Sequence, residues 1–110
     1  MADIVIRFVR TNGFRALSDG DLDGVFASGL LARGLIRRGI MEVWDGEILF
    51  PRASRMRGLE ISGRILVDLG PERGLVLRGR NLLVGHREDR LEVAILDGAY
   101  PILSLSLIHI

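Results

Sequence analysis

The sequence predicts an α/β fold: a mostly parallel sheet of about five strands with flanking helices. Three observations predict it. Short runs rich in apolar and β-branched residues recur along the chain, which is typical of strands. Residues 24–38 carry apolar side chains at helical spacing. The run at 65–69 is apolar almost throughout, as expected of a strand covered on both faces of a parallel sheet.

The first part of the chain is predicted to form two strands and a turn. Residues 3–9 alternate weakly and are rich in β-branched types, so we expect a strand there. Asn12-Gly13 is a turn signal. A short strand is expected at residues 14–17, directly before a polar loop at 18–24.

The next element is a helix over residues 24–38. Asp23 is a candidate N-cap, two arginines fall in the last turn, and Gly39 can end the helix in the left-handed conformation. The remaining segments predict further strands, and residues 52–60 predict a loop or a short helical turn. The expected strands are residues 40–44, 48–50, 65–69, 75–77, 82–84 and 91–96.

The composition limits the classes of protein to which this chain can belong. The chain has 110 residues, a hydrophobic fraction of 48% and a net charge of +1, which indicates one small folded domain without a globally basic surface. It has no cysteine, which excludes disulfides and zinc–thiolate sites. All its basic residues are arginines. The sequence begins without a signal-peptide pattern or a membrane-length apolar run, so we expect a cytoplasmic protein with no membrane partner.

Three of the predicted strands end in polar residues. Residues 19–23 follow the first of them, Asp68 lies in the run at 65–69, and His86 follows the run at 82–84. Ligands bind beyond the carboxyl ends of strands in an open parallel sheet. We therefore expect the three groups to face one crevice.

The acidic loop has the clearest chemistry. Asp19, Asp21 and Asp23 alternate and repel one another unless a cation or water screens them. An EF-hand is excluded because its twelfth position, which needs a bidentate Glu, is Leu30 here. Two interpretations stay open at this point: a site for a hard divalent ion such as Mn²⁺ or Mg²⁺, and an acidic turn that only caps the helix.

Three stretches in order, residues 18–25, 65–70 and 83–87, resemble the motifs of the DHH phosphoesterase superfamily, which includes RecJ-type exonucleases and small archaeal phosphoesterases. Residues 96–101 also resemble a stretch found after the family's triplet. The resemblance covers most of residues 14–101. The triplet itself reads Gly85-His86-Arg87, so its Asp and its second His are absent.

The resemblance implies a metal-dependent phosphoesterase that hydrolyses phosphodiester bonds in single-stranded nucleic acid or small nucleotides. It implies Mn²⁺ as cofactor, with two ions expected and Mg²⁺ as the substitute. The alternative is a non-catalytic α/β module that binds a nucleotide or phosphate and has lost the triplet. The residues implied are Asp19, Asp21, Asp23, Asp68 and His86 for the metal, Asp68 and His86 for catalysis, and Arg87 and Gly24 for the substrate phosphate.

The chain is expected to contain residues 1–104 as the N-terminal part of a DHH-type domain and residues 105–110 as a non-native tail. The tail, Leu-Ser-Leu-Ile-His-Ile, is identical to one translation frame of a sequencing-library adaptor. The family's fourth motif and second domain would lie beyond it. We therefore expect this chain to hydrolyse substrate weakly or not at all, and to form homo-oligomers through its exposed edge.

Overall fold

A central sheet organises the molecule. The computed structural model describes residues 3–42, 45–87, 90–98, 100–101 and 106–109. The helices in this part are α1 (Asp3–Asn12), α2 (Leu22–Arg37) and α3 (Ala53–Met56), with a 3₁₀ turn at Pro71–Arg73. The strands are β1 (Arg15–Ser18), β2 (Glu47–Leu49), β3 (Glu60–Ile61), β4 (Ile65–Val67), β5 (Val76–Leu77), β6 (Arg80–Arg87), β7 (Arg90–Asp97), β8 (Tyr100–Pro101) and β9 (Ser106–His109).

The predicted α/β class is confirmed. The main sheet has the order β2-β1-β4-β6-β7, and the pairs β1–β2, β1–β4 and β4–β6 are parallel. The β6–β7 pair is antiparallel, so this five-stranded part of the sheet is mixed and mostly parallel. The strands β8 and β9 both pair with β7 in antiparallel fashion. The short strands β3 and β5 form a separate parallel pair.

The prediction of a strand at residues 3–9 is wrong, because this segment lies in the helix α1. Val5, Phe8 and Val9 are buried, and their i, i+3, i+4 spacing places them on one helical face. The helix ends at the predicted turn, where the N–H of Gly13 donates to the carbonyl oxygen of Val9 at 2.7 Å. The β-branched residues suit either structure locally, and packing of the buried stripe on the sheet favours the helix.

The helix predicted over residues 24–38 is confirmed as α2, but its N-cap is Asp21 rather than Asp23. A carboxylate oxygen of Asp21 accepts a hydrogen bond from the backbone N–H of Gly24, whereas Asp23 lies in the first helical turn. Capping at Asp21 adds residues 22 and 23 to the helix. At the other end, Gly39 has φ +69°, which is the left-handed conformation predicted for it.

The strand predicted at residues 40–44 is also wrong as far as the structure describes it. Residues 40–42 have no strand conformation, and residues 43–44 lie outside the described residues. The N–H of Ile40 donates to the carbonyl oxygen of Leu35, so this segment continues the C-terminal turn of α2. The predicted strand at 48–50 is confirmed as β2, and the segment at 52–60 contains the short helix α3.

The sheet has an apolar core on each face. One cluster joins α1 and α2 to the sheet through side chains such as Phe8, Leu31, Ile65 and Leu82. The second cluster packs Leu66, on the opposite face of β4, against residues of α3, β3 and the loops beside them. The β4 strand is therefore buried on both faces, as the apolar run predicted. Within the described ranges, none of the helices has the length and hydropathy needed to cross a bilayer.

Candidate functional site

The carboxyl ends of three parallel strands lie level with one another. Ser18 of β1 pairs with Val67 of β4, and Val67 pairs with Val84 of β6. The N–H of Asp68 extends this row by donating to the carbonyl oxygen of Val84 at 2.9 Å. The loops that begin at Asp19 and at Asp68 therefore leave the same edge of the sheet, as predicted.

The strand predicted at residues 82–84 is longer in the structure, at both ends. The strand β6 continues to Arg87 and returns through β7, where His86 pairs with Leu91. His86 therefore lies inside a hairpin, two residues past Val84. The side chains of His86 and Arg87 fall outside the described part of the structure, so their predicted roles in binding metal and phosphate stay predictions.

The acidic loop between β1 and α2 is held by its own carboxylates. Oδ1 of Asp21 accepts the N–H of Gly24 at 2.7 Å, and Oδ1 of Asp19 accepts the N–H of Asp21 at 3.3 Å. These bonds satisfy backbone donors that a helix N-terminus leaves without helical partners. Both carboxylates also lie where the positive end of the α2 dipole stabilises negative charge.

Gly24 allows the end of β1 to approach the first turn of α2 closely. A Cβ atom built on Gly24 would overlap Oγ of Ser18 and would lie 3.1 Å from Oδ1 of Asp21 and 3.2 Å from Oδ1 of Asp19. Three side-chain oxygen atoms therefore lie within 3.2 Å of the Cβ position of Gly24. Only glycine allows this close approach, because any other side chain would overlap the Ser18 hydroxyl.

The hydroxyl of Ser18 has no hydrogen-bond partner within the described part of the chain, although Ser18 is fully buried. A buried polar group without a partner costs about 1–3 kcal/mol. The hydroxyl packs against Gly24, near Oδ1 of Asp19 and Oδ1 of Asp21. A cation bound by all three oxygens would give the Ser18 hydroxyl a partner and so remove this cost.

An ion pair connects the acidic loop to the loop after β4. Nη2 of Arg73 lies 3.1 Å from Oδ2 of Asp19. The Asp19 side chain is only 12% exposed, whereas the Arg73 side chain is 42% exposed. The guanidinium thus neutralises a largely buried carboxylate while remaining accessible from solvent.

Asp68 occupies the second predicted position in an unusual backbone conformation. Its φ is +55°, a left-handed value that Asp and Asn tolerate better than most residues. The residue is half-buried and lines a cleft of about 330 Å³ whose other acidic residues are Glu72 and Glu92. Asp68 therefore shares this cleft with two acidic residues that the sequence prediction did not include.

The predicted metal shell is assembled only in part. Oxygens of Asp19 and Asp21 lie near the Cβ position of Gly24, whereas Asp23 is not among the three nearest contacts there and is exposed on the first turn of α2. No group of three or more acidic or histidine side chains within the described residues is arranged to hold a metal ion. The described geometry thus offers two carboxylates and a hydroxyl in one place.

This donor set suits a hard divalent cation. Mg²⁺ is commonly bound by one or two carboxylates, together with water and substrate phosphates, rather than by a complete protein cage. Mn²⁺ also takes carboxylate and other oxygen ligands. Asp19, Asp21 and Ser18 fit such an ion because their oxygens all lie within 3.2 Å of the Cβ position of Gly24 and the serine hydroxyl has no partner among the described residues.

Sequence reasoning missed two residues of this site, Ser18 and Arg73. A signal existed for Ser18, a polar residue that ends an apolar strand directly before the acidic loop. No local signal existed for Arg73, which lies 54 residues from its partner Asp19.

Comparison of the chain with protein-family models, with curated proteins and with solved structures found no match. The geometry of the described residues and the motif resemblance are therefore the basis for a functional interpretation.

Proposed function

We propose that this protein binds a divalent cation at the acidic loop and uses it in the hydrolysis of phosphodiester bonds in nucleic acids or small nucleotides. One observation carries the proposal. The buried hydroxyl of Ser18, which has no partner among the described residues, packs against Gly24 beside carboxylate oxygens of Asp19 and Asp21. These oxygens lie at the carboxyl ends of parallel strands, where α/β proteins bind ligands.

The charge of the loop supports a cation rather than a bare phosphate. Asp19, Asp21 and Asp23 lie within five residues of one another, and a phosphate approaching them would meet like charges. A bound divalent ion reverses the local charge, lowers the pKa of a water molecule and neutralises developing charge on a phosphoryl group.

The chain's own residues have separable roles in this proposal. Asp19 and Asp21 hold the ion, and Ser18 contributes its hydroxyl oxygen. Asp21 also fixes the start of α2, so the ion site and the helix N-terminus are built by the same side chain. By the motif resemblance, Gly24 in the first turn of α2 contacts the substrate phosphate, which the helix dipole attracts. By the motif resemblance, Asp68 and His86 complete the metal site and Arg87 contacts the phosphate.

A second function is favoured by the sequence of the triplet. Gly85-His86-Arg87 lacks two of the three residues that name the DHH superfamily. A protein that keeps the cation and phosphate sites without this triplet would act as a binding module. Prolonged incubation of excess protein with a short single-stranded oligonucleotide and Mn²⁺ separates the two functions, because only the hydrolase yields cleavage products that Asp21→Asn reduces.

The proposed cation site is tested by titrating the protein with Mn²⁺ and measuring the binding affinity by isothermal titration calorimetry. Asp21→Asn should weaken Mn²⁺ binding at least tenfold, about 1.4 kcal/mol, because it removes one of the two carboxylates at the site. Asparagine is as good an N-cap as aspartate, so α2 should remain intact. Thermal unfolding of the variant checks this directly.

The matched control is Asp97→Asn. Asp97 is exposed at the opposite edge of the sheet, where it pairs with Arg80 at the start of β6. This variant removes the same charge and should bind Mn²⁺ as the unaltered protein does. Absence of Mn²⁺ binding, or equal binding by Asp21→Asn and the unaltered protein, would refute the proposed site.

A further inference from the structure

We propose that Arg73 binds the phosphate group of the substrate, and that its ion pair with Asp19 couples phosphate binding to cation binding. The inference rests on the proposed function and adds a residue and a coupling to it. Without a cation, Arg73 supplies the positive charge that the largely buried carboxylate of Asp19 requires. With a cation on Asp19, the arginine is released to a phosphate.

The position of Arg73 supports this role. It ends the 3₁₀ turn at Pro71–Arg73, in the loop that leaves β4 at the same sheet edge as the acidic loop. Its side chain contacts Asp19 through Nη2 and remains 42% exposed. A guanidinium has five N–H donors in a planar fork that matches phosphate oxygens, so the contact with Asp19 leaves donors for a ligand.

The coupling follows from the charges. A divalent cation and the Arg73 guanidinium both interact with Asp19 in this proposal, so each weakens the binding of the other by like-charge repulsion. A phosphate between them interacts favourably with both positive charges. Cation and phosphate should therefore each raise the affinity of the protein for the other, by the same factor.

The coupling is measured by electron paramagnetic resonance of free Mn²⁺, titrated with protein in the absence and presence of methyl phosphate. Methyl phosphate should raise the Mn²⁺ affinity of the unaltered protein. Arg73→Gln should bind Mn²⁺ alone about three- to tenfold more tightly, because the competing charge is gone. In the same variant, the enhancement by methyl phosphate should fall at least fivefold.

Two further variants serve as controls for the charge and the shape of the Arg73 side chain. Arg78→Gln removes an arginine from another surface ion pair, Arg78–Glu60 at 2.9 Å, and should behave as the unaltered protein does in both titrations. Arg73→Lys keeps the charge but not the planar fork. It should bind Mn²⁺ alone as the unaltered protein does and retain a reduced phosphate effect.

The outcomes separate this inference from the proposed function. If Arg73→Gln matches Arg78→Gln in both titrations, Arg73 has no role in the site, although the cation site stands. If Arg73→Gln weakens the binding of Mn²⁺ alone, Arg73 only supports the loop, and the coupling is overturned. If the unaltered protein binds no Mn²⁺, the proposed function itself fails.

Discussion

Replacing Leu66 by alanine should lower the free energy of unfolding by about 2–5 kcal/mol, the usual cost of truncating a fully buried leucine. Leu66 is 0% exposed and lies in β4, between β1 and β6. It packs in the apolar cluster on the α3 side of the sheet. Because small domains are stable by about 5–15 kcal/mol, this substitution removes a large part of the stability. Equilibrium urea unfolding measures the change.

The same substitution at Leu22 is the control. Leu22 lies at the start of α2 and is 84% exposed, so Leu22→Ala should change the free energy of unfolding by less than about 0.5 kcal/mol. Similar losses for Leu66→Ala and Leu22→Ala would contradict the described packing of β4. The comparison also bears on the site, because β4 sets the level at which the loops after β1 and β4 begin.

Gly24→Ala and Gly29→Ala should change stability in opposite directions, although both glycines lie in α2. A Cβ at Gly24 would overlap the hydroxyl of Ser18 and crowd the carboxylates of Asp19 and Asp21, so we expect a loss of about 1–3 kcal/mol. Gly29 is exposed and has no described atom within 4 Å of its Cβ position. There, alanine should stabilise the protein by about 1 kcal/mol through helix propensity.

Thermal and urea unfolding of the two variants measure this difference, and Ser18→Ala tests its cause. Removing the buried hydroxyl takes away the atom that a Cβ at Gly24 would overlap. Gly24→Ala should therefore lower the free energy of unfolding less in the Ser18→Ala background. A double-mutant cycle measures this difference. If Gly24→Ala stabilises the protein as Gly29→Ala does, the described approach of β1 to α2 is wrong.

Ser18→Ala on its own separates stability from binding. The substitution removes a buried hydroxyl that has no partner among the described residues, so it should raise the free energy of unfolding by about 1 kcal/mol. It also removes an oxygen from the proposed cation site and should weaken Mn²⁺ binding. A gain in stability combined with a loss of affinity is the expected signature of a hydroxyl retained for a ligand. A loss of stability with unchanged Mn²⁺ affinity would contradict that role.

Elements with strong local signals were predicted well. The helix α2 follows from apolar spacing, an acidic residue at its start and a glycine at its end, all of which act within a few residues. The buried strand β4 follows from a run that is apolar on both faces. The helix α1 was missed because its β-branched residues suit both structures. Its assignment depends on which surface it packs against.

The candidate site was likewise predicted in part from local sequence signals. The motif pattern identified Asp19 and Asp21 as residues of the loop at the carboxyl edge of the sheet, and the register of the strands agrees with that edge. The partner of each carboxylate could not be predicted. Asp21 binds the N–H of Gly24, whereas Asp19 also binds Arg73 of a loop far away in sequence.

The amino-acid sequence alone therefore determined the α/β class, the helix α2 and the acidic loop, because periodicity, capping residues and runs of apolar side chains act over short distances along the chain. The tertiary structure decided three further features: that residues 3–9 are helical, that Ser18 is buried against Gly24, and that Arg73 reaches Asp19. The first depends on the surface against which α1 packs, and the other two depend on which strands pair and in which register. Strand pairing joins residues that are distant in sequence, so no local pattern specifies it.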